Sequence, residues 1–285
     1  MRHQLILTLC IGSAIALAGC DRSGDAEVER ALKNVNVIDE SNLNDIMLTV
    51  ADPNEAVTYF QRAVKDNPDR VDLKRGLGTS LVRAKRNAEA VTVWNEAVAH
   101  KDATPEDRVN LADALIRSDD WKRAETELHR VPPTYESYKR YQLEAMIADG
   151  NKQWKKADSF YEIAAGLTTK PASVMNNWGY SKLTRGEYAD AERLFGQAIT
   201  HDPAMFTAKN NLVLARGAQR KYDLPVVEMT QVEQAQLMHT MALTAIKQGD
   251  VAIGKGLLKQ AVETHPQYFD AAARSLEALD ANVQN

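Results

Sequence analysis

Between Asn176 and Pro203 the apolar positions recur at three- and four-residue intervals in two runs, separated by the polar triplet Arg185-Gly186-Glu187. That period predicts two amphipathic helices joined by a tight turn. Small side chains (Gly179, Ala191, Ala198) stand where the helices must approach closely, and larger ones (Trp178, Tyr188, Phe195) fill the space between them. Pro203 stops the second helix, because its ring blocks the next turn and it has no N–H to donate.

The same arrangement recurs along the chain with nearly constant phase. A weak first helix around Leu43 and Met47 precedes a clear second one, Ala56-Phe60-Ala63, which ends at Pro68. Pro53 begins that second helix, where a missing N–H does no harm. The next unit carries Leu77, Gly78 and Leu81 with Ala90, Trp94 and Ala97, and the third Leu111, Ala112 and Leu115 with Trp121, Ala124 and Leu128. Val131-Pro132-Pro133 closes the third unit early. A fourth has a less regular first helix (Tyr141, Ala145, Ala148) and a regular second (Trp154, Ala157, Tyr161, Ala164). Measured on the small residue of the second helix, the intervals through Ala56, Ala90, Ala124, Ala157 and Ala191 are 34, 34, 33 and 34 residues.

After a good first helix, Phe206 to Arg220, the phase breaks. Pro225 takes the place of the small residue, and inside a helix it would cost about 3 kcal/mol. The segment 222–229 is therefore expected to cross in extended form, with Val226-Val227 either packed under the helices, which is favoured, or free to pair with a partner strand. Thr230 and Glu233 read as a capping box opening a new helix through Leu237, Ala242 and Ile246. It turns at Gly249-Asp250 and pairs with Ala252 to Thr264, where Gly254 holds the small position and weakens the helix by roughly 1 kcal/mol relative to alanine. Gln267 to Leu279, with Phe269, Leu276 and Leu279 on one stripe and Asp270, Arg274, Glu277 and Asp280 opposite, is expected to cap the open end. Ala281–Asn285 are expected to fray.

Small and large residues at these offsets, repeated every 34 positions, resemble the tetratricopeptide repeat. The resemblance implies an all-α solenoid over 37–285: a right-handed superhelix of about six to seven helix-turn-helix units, irregular at 222–230, with its cap helix at 267–279. It also implies that first helices line a concave face. One inward position holds Asn110, Asn177 and Asn211; its neighbour holds Arg75, Asn176, Asn210 and His239; a third holds Tyr180, Leu214 and Leu243. An amide offers both donors and an acceptor, so it can hold a peptide backbone whatever the side chains, and the apolar positions could receive those side chains. Asn is also simply common at that repeat position, and the pattern serves either reading. The basic clamp of the chaperone-binding subfamily is not reproduced, because Arg75, Arg83 and Arg117 are interleaved with Asp72, Glu106 and Asp113.

At the front, Arg2 and an apolar run of 14 residues, Leu5 to Ala18, fall short of the ~20 needed to span a bilayer but suit a signal peptide over 1–19. Leu17-Ala18-Gly19-Cys20 resembles the lipobox of bacterial lipoproteins, which implies acylation of Cys20 and a short lipidated tether over 20–36. Asp21 resembles the inner-membrane retention signal of enteric bacteria, while analogy with related assembly lipoproteins favours the outer membrane. Either way the array would face the periplasm.

Composition adds mostly exclusions. A hydrophobic share of 44% and a charged share of 26% suit a folded protein, and a net charge of −4, or −5 once Arg2 leaves with the signal peptide, gives no nucleic-acid footprint. Beyond Cys20 there is no cysteine, so internal disulfides, thiol catalysis and zinc–thiolate sites are out. His100, His201 and His265 fall at the ends of second helices in different units, where an imidazole complements the helix dipole rather than converging on an ion. No motif of a zinc protease, serine hydrolase, P-loop or calcium loop is present. The sequence therefore points to no enzyme activity, cofactor, metal or small-molecule substrate. A lipid-anchored array of this kind resembles the tight-adherence (Flp) pilus assembly lipoproteins and, close behind, the type IV pilus lipoproteins that assist an outer-membrane secretin. The resemblance implies a non-catalytic adaptor whose partners are protein segments of a pilus or secretion apparatus, a secretin among them. The alternative is a scaffold recruiting peptidoglycan enzymes.

Overall fold

The computed structural model describes residues 43–283; the signal segment, Cys20 and the tether to residue 36 lie outside the described residues. Among the described residues all regular structure is helical. The chain divides into two compact units, Met1–Val93 and Trp94–Asn285.

In the first unit, α1 (43–49) is as weak as its sequence: Leu43 and Ile46 are 40% and 52% exposed. The next helix, α2 (Pro53–Asp66), begins at Pro53 and is capped by Asp52, whose carboxylate accepts the Asn54 N–H at 2.8 Å. It packs on α3 (Val71–Arg83) so closely that a Cβ on Gly76 would lie 2.4 Å from the Phe60 ring. Arg83 donates to the carbonyls of Met47 and Ala51, both at 2.9 Å, closing the end of α1. It is thus a structural tie and no part of a carboxylate clamp. The boundary between the units falls inside α4 (Asn87–Ala99), whose Ala90, Trp94 and Ala97 are fully or almost fully buried.

The second unit continues the series. Helix-turn-helix pairs form from α5 (Pro105–Arg117) with α6 (Trp121–His129), α7 (Tyr138–Gly150) with α8 (Trp154–Gly166), and α9 (Ala172–Thr184) with α10 (Tyr188–His201). Then come α11 (Phe206–Ala218), α12 (Gln231–Lys247), α13 (Val251–Thr264) and α14 (Asp270–Val283). The short α6 reflects the early stop at Val131-Pro132-Pro133.

One turn recurs throughout. Lys85, Asp119, Lys152, Gly186, Arg220 and Gly249 all take positive φ, between 58° and 87°, and each follows the end of a first helix. The residue after each donates its N–H back to the carbonyl five positions earlier: Arg86 to Leu81, Asp120 to Leu115, Gln153 to Ala148, Glu187 to Lys182, Lys221 to Arg216 and Asp250 to Ala245, at 2.8–3.0 Å. This left-handed cap satisfies the terminal carbonyls of each first helix and reverses the chain. Only the two glycine turns were legible in the sequence.

The sixth unit starts that turn at Arg220 and then fails to grow a second helix, as Pro225 requires. The segment 221–230 is irregular, and its side chains replace the missing helix: Tyr222, Leu224 and Met229 pack on Val213, Leu237 and Met241, while Val227 packs beside Phe195 and Leu212. Val226, in contrast to Val227, points fully outward. Gly217 lets α12 lie directly on α11, since a Cβ there would meet Thr244 at 2.6 Å. The capping box of Thr230 and Glu233 forms, with bonds of 3.1 and 2.8 Å.

Two expectations need correction. The cap helix begins at Asp270, three residues later than expected, because residues 265–269 form a bend in which the Gln267 N–H donates to His265 Nδ1. It runs on to Val283, so Ala281 is helical where fraying was expected. Gly254 is also no mere tolerated weakness. A Cβ there would lie 2.4 Å from Ile246 Cγ1 and 3.0 Å from the Ala242 carbonyl oxygen. Gly254→Ala should therefore destabilise the protein by about 1–3 kcal/mol, despite alanine's better helix propensity, because the overlap involves backbone as well as a packed side chain. Denaturant melts of the two proteins check this; an unchanged or higher midpoint would show that α12 and α13 can part freely.

Candidate functional site

The residues that the repeat register turns inward lie on the first helices α3, α5, α7, α9, α11 and α12. In the second unit they are tied to one another from helix to helix. Lys139 on α7 donates to Asn110 at 2.8 Å and pairs with Asp113 at 2.9 Å on α5. Asn177 on α9 points its amide at Met146 Sδ of α7, at 3.7 Å. Asn211 on α11 donates to Asn176 on α9 at 3.0 Å, Thr240 on α12 donates to Asn210 at 2.8 Å, and His239 bonds Ser275 on α14 at 3.2 Å. Burial lowers the His239 pKa, and its ring meets Phe269 edge-on at 5.5 Å.

This ladder changes what the amides can do. Asn211 is only 8% exposed and spends its donor on Asn176, so its first task is holding α11 to α9. Asn110, Asn176, Asn177 and Asn210 are half-buried and keep part of their hydrogen-bonding capacity for a ligand. Tyr180 and Leu243 stand out, 54% and 45% exposed, with Leu214 half-buried between them in the series. Arg75 belongs to the first unit. Arg117 is held by Asp113 at 2.8 Å, and Asp72 by Arg70 at 2.6 Å, so these charges neutralise one another locally.

Below this face lies a polar junction that sequence reasoning missed. Asp158 on α8 accepts bonds from the Trp178 indole, Lys182 and Arg185, at 2.7, 2.9 and 2.7 Å. Burial pulls its pKa up, but these three donors outweigh it and hold the carboxyl below its usual range. Arg185 also stacks over Trp154 at 5.4 Å. Next to it, Asp149 accepts from Ser181 at 2.7 Å and from the Tyr161 hydroxyl at 3.0 Å. Here burial wins, and the Asp149 pKa is raised despite both bonds. Burial and the neighbouring carboxylate push Tyr161 upward too. Lys182 departs from the repeat pattern, which was the available signal: a cation where an apolar residue belongs needs a carboxylate beneath it.

A cavity of about 230 Å³ opens where α6 stops early, lined by Leu128, Val131, Ile147 and Phe160 with the Arg140–Glu144 pair at its rim. Among the described residues no group of three or more His, Cys, Asp or Glu side chains could hold a metal ion, and no helix is long and apolar enough to cross a membrane.

An all-helical array of units with this turn and this packing is a tetratricopeptide-repeat fold, the architecture of a protein-binding scaffold. The model of the tetratricopeptide repeat matches residues 48–108 and 176–224. Among solved structures, the chain is similar to the Cut9–Hcn1 hetero-tetramer of the APC/C, with TM-score 0.60 and 12% identity over 80% of this chain and 46% of that one. It is similar to the human IFIT1 dimer with PPP-AAAA, at 0.57 and 14%, over 81% and 59%. It therefore spans about half the length of these two. PilW, a type IV pilus biogenesis factor, matches at 0.54 and 14% identity, over 82% of this chain and 98% of its own. At such identities the likeness is one of fold. No curated protein matches the sequence.

Two outcomes follow from the geometry. Asn211→Ala should lower stability by about 1 kcal/mol through the lost bond to Asn176, whereas Asn177→Ala, whose contact is a long one to sulfur, should leave the melt nearly unchanged. Asp158→Asn should cost about 2 kcal/mol at neutral pH, discounted for the partial exposure of Asp158, since it strips the partner from an Arg185 side chain only 6% exposed. A carboxyl with a lowered folded pKa contributes stability above its unfolded pKa and loses it as pH falls through the folded value. The gap between wild type and Asp158→Asn should thus close below the usual carboxylate range; a gap independent of pH in thermal melts would refute the assignment.

Proposed function

We propose that the chain is a non-catalytic, lipid-anchored adaptor facing the periplasm, which captures extended segments of partner proteins on its first-helix face during assembly of a pilus or secretion apparatus. The observation that carries this reading is the pairing, on one register, of exposed apolar side chains (Tyr180, Leu243) with half-buried amides (Asn176, Asn177, Asn210). Backbone groups of an extended segment can bond the amides while its side chains rest on the apolar residues. The lipobox-like run ending at Cys20 supports a membrane anchor, and the fold shared with PilW, named as a type IV pilus biogenesis factor, supports a pilus assembly role.

The test is capture from membranes. The lipidated protein is purified with its companions, which are then identified by mass. Pilus or secretin subunits support the proposal, and peptidoglycan hydrolases would replace it with the scaffold reading. The double variant Tyr180→Ala, Leu243→Ala should keep its melting temperature, both side chains being about half exposed, and lose roughly tenfold in partner recovery. Full recovery at normal stability would remove this face from the account.

A further inference from the structure

The second helices of two successive units open alike: Trp121-Lys122-Arg123 in α6 and Trp154-Lys155-Lys156 in α8, the latter just after Lys152 in the left-handed turn. The other second helices of the regular array have an acid in the first turn, Glu55 in α2, Glu89 in α4 and Asp190 in α10, whereas α6 and α8 have none. Cations at the positive end of a helix dipole cost stability, so the basic starts run against a preference that α2, α4 and α10 keep; α13 has no acid there either, but its first turn starts with apolar residues rather than cations.

What they gain is an exposed amphipathic edge. Trp121 and Trp154 are 39% and 37% exposed, the latter with Arg185 over one part of its ring, and Lys122, Lys152 and Lys155 face solvent, while the exposed Lys156 also lies 5.5 Å over the Phe160 ring. Among the described residues, Lys122, Lys152 and Lys155 have no ion-pair partner. The nearby acids are engaged: Asp119 takes the Trp121 indole N–H at 2.8 Å, Asp120 caps α6 and pairs with Arg123, and Glu125 accepts from Asn151 at 3.1 Å. The two starts belong to one surface. Trp121 and Lys122 line a depression with Glu125 and Asn151, residues 152–156 line the next, and Glu125, Gln153 and Lys156 meet in the cleft between them.

We propose that this edge docks the array against anionic phospholipid, with the two indoles seated at the headgroup level and the four lysines facing lipid phosphate. Charge complementarity selects the occupant. Unpaired ammonium groups on a chain of net charge −4 seek a diffuse anionic surface, and indole rings with a polar N–H favour the bilayer interface. A nucleic acid is the poorer fit, because the guanidiniums here are already paired, Arg123 with Asp120, Arg185 over Trp154 with Asp158, and Arg140 with Glu144, leaving no free bidentate fork for phosphate. The inference is independent of the first-helix face, and failure of that reading leaves it standing.

The test reconstitutes the full-length protein into vesicles of phosphatidylcholine with brominated acyl chains, with or without phosphatidylglycerol, and reads tryptophan fluorescence. Bromine quenches only indoles that reach the bilayer. Quenching should appear with phosphatidylglycerol, fade in high salt, and vanish in Trp121→Phe, Trp154→Phe, while the buried Trp94 keeps its emission. Each lysine replaced by glutamine should shift the docked-to-undocked ratio by about fivefold. The replacements at Lys122, Lys152 and Lys155 should leave the melting temperature unchanged or slightly higher, since these cations have no ion-pair partner among the described residues and sit near the positive end of a helix; Lys156→Gln also loses its contact with the Phe160 ring. Quenching that ignores phosphatidylglycerol or survives all four replacements overturns the proposal. So does a lysine-dependent gel shift with a single-stranded oligonucleotide in the absence of quenching, or a fall in melting temperature that accounts for the lost signal.

Discussion

Helices packed closer than a methyl group permits are the constraint on which this array rests. At Gly76, Gly179, Gly217 and Gly254 an added Cβ would sit 2.4–2.7 Å from Phe60, Phe195, Thr244 and Ile246 respectively. Where glycine is absent, alanine serves: Ala56, Ala90, Ala124, Ala157, Ala191 and Ala198 are all fully buried. Small residues bring the helix axes together, and in four of the units one large ring (Phe60, Trp94, Tyr161 or Phe195) fills the remaining space, while Leu128 and Leu258 do so on α6 and α13. Each unit buries its apolar face only against its neighbours, so the stability of the array is a sum over local interfaces.

The irregular sixth unit shows how much departure that scheme allows. Pro225 forbids a second helix, yet the chain does not open. The left-handed turn at Arg220 forms as it does at Lys85, Asp119, Lys152, Gly186 and Gly249, three side chains of the following segment cover Val213, Leu237 and Met241, and Gly217 admits α12 directly onto α11. Lys209, 2% exposed, ties the segment down by donating to the Glu228 carbonyl at 2.7 Å and pairing with Glu233 at 3.2 Å. A buried cation is sustainable only with such partners, and here they double as the cap of the next helix.

On the first-helix face the residues proposed for binding also hold the array together. Asn110, Asn176, Asn210 and Asn211 join neighbouring helices through side-chain bonds, and in the proposed reading the half-buried amides among them would also meet a bound segment. A ladder of this kind fixes the spacing between units, so a ligand would meet preorganised donors and acceptors rather than having to order them itself. On the tryptophan–lysine edge the division is different: the indoles are partly covered, Trp121 bonded to Asp119 and Trp154 under Arg185, while Lys122, Lys152 and Lys155 face solvent.

The repeat itself was legible in the sequence, because a 34-residue period of small and large residues leaves few alternatives to paired helices. So were the capping box at Thr230, the failed helix at Pro225, and the register that puts Asn177, Tyr180 and Leu243 on first helices. What the sequence left undetermined depended on contacts between successive elements, from eight residues apart (Ile246 and Gly254) to 35 (Asn176 and Asn211). The amides' bonds to one another, the Asp158–Arg185 and Asp149–Ser181 junctions, and the overlap that makes Gly254 obligatory between helices all arise only when successive elements are stacked. Left-handed turns at Lys85, Lys152 and Arg220 belong with these, since lysine and arginine have no local preference for a positive φ, whereas Asp119 is of a type that visits that region more readily. Periodicity records which face a side chain occupies; packing alone decides which partner it meets there, and whether that partner leaves anything over for a ligand.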